Sequence, residues 1–339
     1  MPLRLQDLAV PILGAPMAGG PSTPALAAAI SNAGGLGFVA AGYLTADKFS
    51  EVIAAARALT SSPIGVNLFV PGPSAATPDT LARYREQLAP LAHHYGAQIP
   101  EPHADDDAWQ AKLDVVADIV PEVASFTFGC PGREIIARLR DRGVAVAVTV
   151  TSVDEAGVAV AAGADILVVQ GPEAGGHRGT FDPVAQPGEV PLDSLLAAIV
   201  GAHDLPVIAA GGLSSAADVR RVLDGGAVAA QAGTAFLLAA EAGTNATHRA
   251  ALTDANFTET VVTRAFSGRY ARGLANNFTA RYDAVAPLGY PEVNQMTGPL
   301  RRAAVAAGDP HGTNLWAGTS WRQISEGSAA DIVAALAAG

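Results

Sequence analysis

Short apolar runs ending in Gly, Pro or Asn recur along the chain, separated by stretches with helical spacing. The runs fall at Val10–Ala15, Leu36–Ala40, Ile64–Phe69, Val123–Phe128, Val144–Val150, Ile166–Gln170, Pro206–Ala210 and Val228–Ala232. Each is nearly continuously hydrophobic, the pattern of a parallel strand covered on both faces. The intervening stretches carry helix-start signals. Ser22 and Thr23 precede Pro24 and Ala25–Ile30, and Thr45 precedes Ala46–Leu59. Ser152, with Glu155 three residues on, predicts a capping box before Ala156–Ala162; Ser214 or Ser215 opens Ala216–Leu223, which Gly225-Gly226 closes. Eight strands alternating with helices predict a closed (β/α)8 TIM barrel.

Two stretches break the repeat. Pro71–Ala104 is rich in Pro, Ala and His and predicts an excursion after the third strand, with one helix around Leu81–Leu91. Glu241–Pro310 has no clean periodicity and predicts a partly helical cap, after which Trp316–Ala338 returns as a terminal helix. The expected division is a barrel of residues 1–238 and 311–339 and a smaller, mostly helical cap or substrate domain of residues 239–310, inserted after strand eight.

Composition narrows the partners. Of 339 residues, 21 are Lys or Arg and 32 are Asp or Glu, a formal charge of −11 that disfavours nucleic acid. No uncharged apolar run reaches the roughly 18 residues of a membrane span. The opening Met1–Asp7 lacks the basic and apolar regions of a signal peptide, so a cytoplasmic location is expected. Cys130 is the only cysteine, which excludes an internal disulfide and a multi-cysteine metal site; it reads as a small buried residue at a strand end, with a nucleophile as the other reading.

Active sites of such barrels lie at the C-terminal ends of the strands, and the chemically unusual residues fall there. Pro16-Met17-Ala18 follows strand one, Asn67 sits near the end of strand three, and Gln170-Gly171 ends strand six. Asn67 and Gln170 are amides at the ends of apolar strands. Each suits either the edge of a ligand ring or the capping of a neighbouring loop. Gly211-Gly212 ends strand seven and Gly233-Thr234 follows strand eight, the two places where backbone N–H groups commonly hold a phosphate. His177 follows two glycines after strand six, so it is expected on a flexible loop, able to take a proton or bind an anion. None of His93, His94, His103, His203, His248 and His311 shows metal-ligand spacing with a nearby carboxylate, so no metal is expected. The glycines of Gly14–Gly20 lack a dinucleotide-binding spacing.

Taken together, these segments resemble the bacterial nitronate monooxygenases, the group also called 2-nitropropane dioxygenases. The matching stretches include Ala15-Pro16-Met17-Ala18-Gly19, Val66-Asn67-Leu68-Phe69, Val169–Gly179, Ala210-Gly211-Gly212, Gln231–Phe236, Phe266–Gly273 and Leu288-Gly289-Tyr290-Pro291. The most specific is Gly171-Pro172-Glu173-Ala174-Gly175-Gly176-His177-Arg178-Gly179. The resemblance implies non-covalently bound FMN, no metal, and oxidation of an alkyl nitronate (propionate 3-nitronate, for example) by O2 to a carbonyl compound and nitrite. By position it places Met17, Asn67, Gln170, Gly175, Gly212, Gln231, Ala232, Gly233 and Thr234 around the flavin. It makes His177 catalytic and sets Tyr290 and Trp316 at the substrate pocket. A small nitronate and O2 are the implied partners, and the oligomer, monomer or homodimer, stays open. The nearest alternative is an FMN-dependent enoyl-acyl-carrier-protein reductase, which resembles this family in fold and in the histidine segment but needs a nicotinamide.

Overall fold

All eight apolar runs contain a strand, and these eight strands lie side by side in one parallel sheet of the computed structural model. The structure describes residues 3–338; Met1 and Pro2 of the opening stretch, and Gly339, lie outside the described residues. The elements begin β1 (Ile12–Gly14), α1 (Pro24–Asn32), β2 (Gly37–Ala40), α2 (Ala46–Leu59), β3 (Ile64–Phe69), α3 (Pro78–Tyr95), α4 (Trp109–Ile119), β4 (Val123–Thr127), α5 (Arg133–Asp141) and β5 (Ala145–Val150). Next come α6 (Val153–Ala162), β6 (Ile166–Gln170), β7 (Gly176–His177), α7 (Leu192–Ala202), β8 (Val207–Ala210), α8 (Ala216–Asp224) and β9 (Ala229–Ala232). The rest are α9 (Ala246–Thr253), β10 (Thr260–Thr263), β11 (Ala271–Leu274), α10 (Asn277–Tyr282), α11 (Glu292–Ala306) and α12 (Ala329–Ala337).

The large sheet runs β1-β9-β8-β6-β5-β4-β3-β2. Its two ends meet at a parallel bridge between Leu13 and Leu36. There the Gly14 N–H donates to Leu36 O at 3.0 Å and the Leu36 N–H to Ile12 O at 3.1 Å. The fold is therefore a (β/α)8 barrel.

Strand side chains alternate between the barrel interior and the helix layer. Ala124, Phe126, Val146, Val148, Leu167 and Val169 face outward into the main core against the helices. Val123, Ala145, Ala147, Ile166, Val168 and Ala229 pack inside, together with Leu5 of the N-terminal turn. Two residues further along each strand, the inward series turns polar: Ser125 and Thr127, Thr149, Gln170 and Gln231. The barrel is thus apolar at its floor and polar at its top, and the site follows from that gradient.

Several helix starts are as the chain pattern predicts. The Thr23, Thr45 and Ser215 side chains accept from the N–H groups of Leu26, Lys48 and Asp218, so Ser215 rather than Ser214 is the cap of α8. Ser152 accepts from the Glu155 N–H, but the Glu155 carboxylate turns to Thr151 and to the Phe181 N–H at 2.7 Å, so the expected box does not close.

Other expectations need correction. The excursion after β3 holds the long helix α3, and a further helix, α4, occupies the stretch before β4 that carried no predicted helix. The segment after β9 contains two strands, β10 and β11, as well as helices, and these form a three-stranded sheet with β7. The terminal helix begins at Ala329 rather than Trp316; Trp316 instead bridges antiparallel to Gly273. No helix among the described residues is long and apolar enough to cross a membrane.

Candidate active site

The polar top of the barrel opens into a cavity of about 680 Å³, within the range of small-molecule and cofactor sites. Of the residues expected at a flavin, Met17, Asn67, Gln170, Gly175, Gly212, Gln231, Ala232, Gly233 and Thr234 all line it, as do His177 and Trp316. Tyr290 lines an adjoining cavity of about 400 Å³. Tyr43, Phe69 and Phe128 form part of the wall of both.

His177 does not sit on a flexible loop. It lies in β7, whose register pairs His177 with Ala271 and Gly176 with Arg272 of β11. Three further contacts hold the segment. The Gln170 Nε2 donates to His177 O at 3.0 Å, and its Oε1 accepts from the Gly179 N–H at 2.8 Å. The Arg178 N–H donates to Tyr270 O at 2.8 Å. The Arg178 side chain, 2% exposed, turns inward and donates from Nη1 to Gly171 O at 2.7 Å. Gln170 therefore caps the histidine segment, one of the two roles its position allowed.

The His177 imidazole is walled by aromatic rings. Phe128, Tyr290 and Trp316 lie 5.6, 6.2 and 5.5 Å from it, centroid to centroid. Phe128 takes a left-handed backbone (φ 77°) at the end of β4, a conformation unfavourable for a bulky residue and characteristic of functional sites. Its ring carries the Arg269 guanidinium 4.1 Å above the centroid. Nε2 of His177 is 2.8 Å from Ser267 Oγ, whereas Nδ1 has no protein partner among the described residues. Burial, reinforced by the charges of Arg269 and Arg301, pushes the imidazole down to about 3. It is neutral at physiological pH.

The two remaining strand amides, Asn67 and Gln231, differ in their partners. The Asn67 Nδ2 donates to Ser125 Oγ at 2.9 Å and Thr127 Oγ1 at 3.1 Å, leaving its Oδ1 without a protein donor. Gln231 is only 7% exposed, and its amide has no protein partner among the described residues. A buried amide without partners lining a cavity is a group arranged for a ligand.

The glycines beside it show why side chains are absent there. A Cβ on Gly175 would stand 2.5 Å from the Ala317 carbonyl carbon and the Gly318 N. Gly211 and Gly212 take positive φ (121° and 70°), the left-handed region that glycine enters at no steric cost. The Thr234 Oγ1 accepts from the Gly318 N–H at 2.9 Å, so its own hydrogen stays available to an anion. Among the described residues no three His, Cys, Asp or Glu side chains converge as metal ligands.

The sequence profile described as nitronate monooxygenase matches residues 3–339. The chain belongs to the nitronate monooxygenase family. It is 39% identical to a nitronate monooxygenase of Pseudomonas aeruginosa, over 98% of this chain and 97% of the relative. It is 37% identical to a probable nitronate monooxygenase of Staphylococcus aureus, over 97% and 94% of the two chains. Among solved structures it superposes on a nitroalkane oxidase from Streptomyces ansochromogenes with a TM-score of 0.95 and 46% identity, covering 98% and 96% of the two. FabK from Thermotoga maritima is more distant, with a TM-score of 0.75, 27% identity and 98% and 93% coverage.

Sequence reasoning named no role for Tyr43, Phe69, Phe128, Ser267, Arg269 or Arg301. Ser267 and Arg269 lie within the matching stretch Phe266–Gly273, which was a usable signal. Phe69 and Phe128 also fall in stretches that match the family, whereas Tyr43 and Arg301 had no signal, because they reach the opening only when the chain is folded.

Proposed function

We propose that this protein binds FMN at the barrel top and uses it to oxidise alkyl nitronates with O2 to a carbonyl compound and nitrite. The observation that carries the reading is the joining of two features in one cavity. A phosphate-compatible cradle (Gly211-Gly212, Gly233-Thr234) opens beside a neutral histidine held against aromatic walls. The family membership, and the oxidase and monooxygenase names of the relatives, support the same reading.

The donor set fits a flavin. Gly212, Gly233 and Thr234 would hold the phosphate, while Asn67 Oδ1 and the Gln231 amide are free to meet the ring edge. Met17, Gly175 and Ala232 supply close, non-polar walls. When bound, the flavin supplies the one-electron chemistry that links the nitronate to oxygen. The protein's part is to orient the nitronate, exclude water and control one proton. Residues 239–310 act in this reading as the cap over the barrel, bringing Ser267, Tyr290 and Arg301 to the opening.

The tautomer of His177 sets its task. If the Ser267 hydroxyl donates to Arg269 O (3.2 Å away), Nε2 carries the hydrogen and Nδ1 presents a lone pair to the α-proton of a neutral nitroalkane; the nitronate anion formed beside the ring then stabilises the imidazolium that burial alone disfavours. If the hydroxyl donates to Nε2, the Nδ1–H instead donates to an oxygen of the nitronate. The test mixes the purified protein with propionate 3-nitronate in air and, separately, with NADH or NADPH without oxygen. Oxygen uptake with nitrite release supports the proposal. Rapid bleaching by a nicotinamide with no oxygen uptake on nitronate would show a reductase instead.

A further inference from the structure

A nitronate is an anion, and moving it out of water needs a compensating charge or strong donors. His177 does not supply the charge, because its ring is neutral. Of the other cations, Arg269 lies over the Phe128 ring, donates to Thr180 O and lines the smaller cavity, and Arg302, at the main cavity, is exposed to solvent.

Arg301 on α11 is placed differently. It lines the main cavity, and its guanidinium meets only neutral acceptors. Nε donates to Thr297 Oγ1 at 3.2 Å and Nη1 to Asn314 Oδ1 at 3.1 Å. Nη2 donates to Asn294 O at 3.0 Å and to Asn294 Oδ1 at 2.7 Å. Four of the five N–H groups of a guanidinium are thereby used to orient its plane, and one Nη1 hydrogen has no protein acceptor. No carboxylate pairs with it among the described residues. A cation held by neutral groups alone, lining a cavity and keeping one hydrogen unused, is placed to take an anion.

We propose that Arg301 is the anion-holding residue of the site, its charge and its one free Nη1 hydrogen receiving an oxygen of the substrate's nitronate group. This rests on the function proposed above. The charge complement then comes from the cap helix, while His177, on the barrel side, handles the proton. A neutral nitroalkane has less need of Arg301 than its nitronate does.

The test uses nitrate, a planar oxyanion, titrated by calorimetry into the protein as purified, and then as a competitor against propyl 2-nitronate. The parent protein should bind nitrate, and nitrate should compete with the nitronate. Arg301→Gln should weaken nitrate binding and raise KM for propyl 2-nitronate by roughly ten- to hundredfold, with KM for neutral nitroethane changing less than about threefold. Arg301→Lys should fall between. Flavin content and melting temperature near those of the parent establish that a variant is folded. Absence of nitrate binding to the parent, or lack of competition, overturns the proposal without any variant. So does an Arg301→Gln protein with parental nitrate affinity. If only propionate 3-nitronate loses affinity in Arg301→Gln, the guanidinium holds a remote carboxylate, and the assignment to the nitronate group is overturned. If the parent oxidises no nitronate, the proposed function fails, while nitrate calorimetry still decides whether Arg301 binds an anion.

Discussion

Replacing Gln170 by Leu separates the two tasks that its position at the barrel top allows. In the structure the amide clamps the histidine strand, donating to His177 O at 3.0 Å and accepting from the Gly179 N–H at 2.8 Å. Leucine fills similar space but leaves a partly buried carbonyl and a partly buried N–H without these partners. Each such loss costs about 1–3 kcal/mol, partly offset because the amide itself no longer needs desolvating. A net loss of about 2–4 kcal/mol is expected. Spread over the unfolding entropy of a chain this long, it lowers the melting temperature by about 3–6 °C. β11 still pairs with β7, so the strand is loosened rather than lost. Turnover should fall more than flavin affinity, because the clamp acts on His177. The assay is a melting curve, a flavin titration of the apoprotein, and kcat with a nitronate. A Gln170→Leu protein that keeps the parental melting temperature and kcat but releases flavin would refute the clamp and make Gln170 a cofactor ligand.

Acid should destabilise the fold through its buried histidines. Burial pushes His177 down to about 3 and His248 down to about 4, against about 6.5 in an unfolded chain. Their neutral forms contribute stability above about pH 6.5 that is lost as pH falls, at about 1.4 kcal/mol per pH unit for each histidine. The loss should continue until each folded value is passed, and urea midpoints between pH 7 and pH 4.5 measure it. His177→Asn should remove about half of this histidine-linked slope; an unchanged slope would show that His177 is already charged in the folded protein. Gly175→Ala should cut the flavin-to-protein ratio severalfold, because its Cβ would meet the backbone of Ala317 and Gly318 at 2.5 Å. Gly176→Ala, with nothing within 4 Å but a positive φ, should cost only about 1 kcal/mol and retain flavin. Equal flavin loss in both would remove the close-packing argument.

The barrel was legible because its signal is local and repeated. Each strand is a short run with both faces buried, and where a helix has a side-chain cap, as all but α4, α5, α7 and α11 do, it is a single hydroxyl or carboxamide. Part of the site was legible for the same reason, since Asn67 and Gln170 interrupt otherwise apolar strands near their C-terminal ends, whereas Gln231 was marked only by the family resemblance. What the chain pattern could not show was non-local. His177 reads as a loop residue beside Gly175 and Gly176, and becomes a strand residue only because β11, nearly a hundred positions on, pairs with it. Strand β7 has just two residues, too few for any periodicity. Likewise Arg301 looks like one of two surface cations on a helix until Asn294 and Asn314 turn its guanidinium to the cavity. α4 escaped prediction because its Asp-rich approach, Asp105-Asp106-Asp107, has the composition of a loop.

The most direct measurement compares oxygen uptake and nitrite release by the flavin-loaded parent and by His177→Asn, each with an alkyl nitronate and with the corresponding neutral nitroalkane. The account predicts that the parent consumes oxygen and releases nitrite. His177→Asn should keep its flavin spectrum and turn over roughly a hundredfold or more slowly on substrates that need proton transfer. A parent protein that releases no nitrite, or a His177→Asn protein as fast as the parent on nitronate and nitroalkane alike, would contradict it.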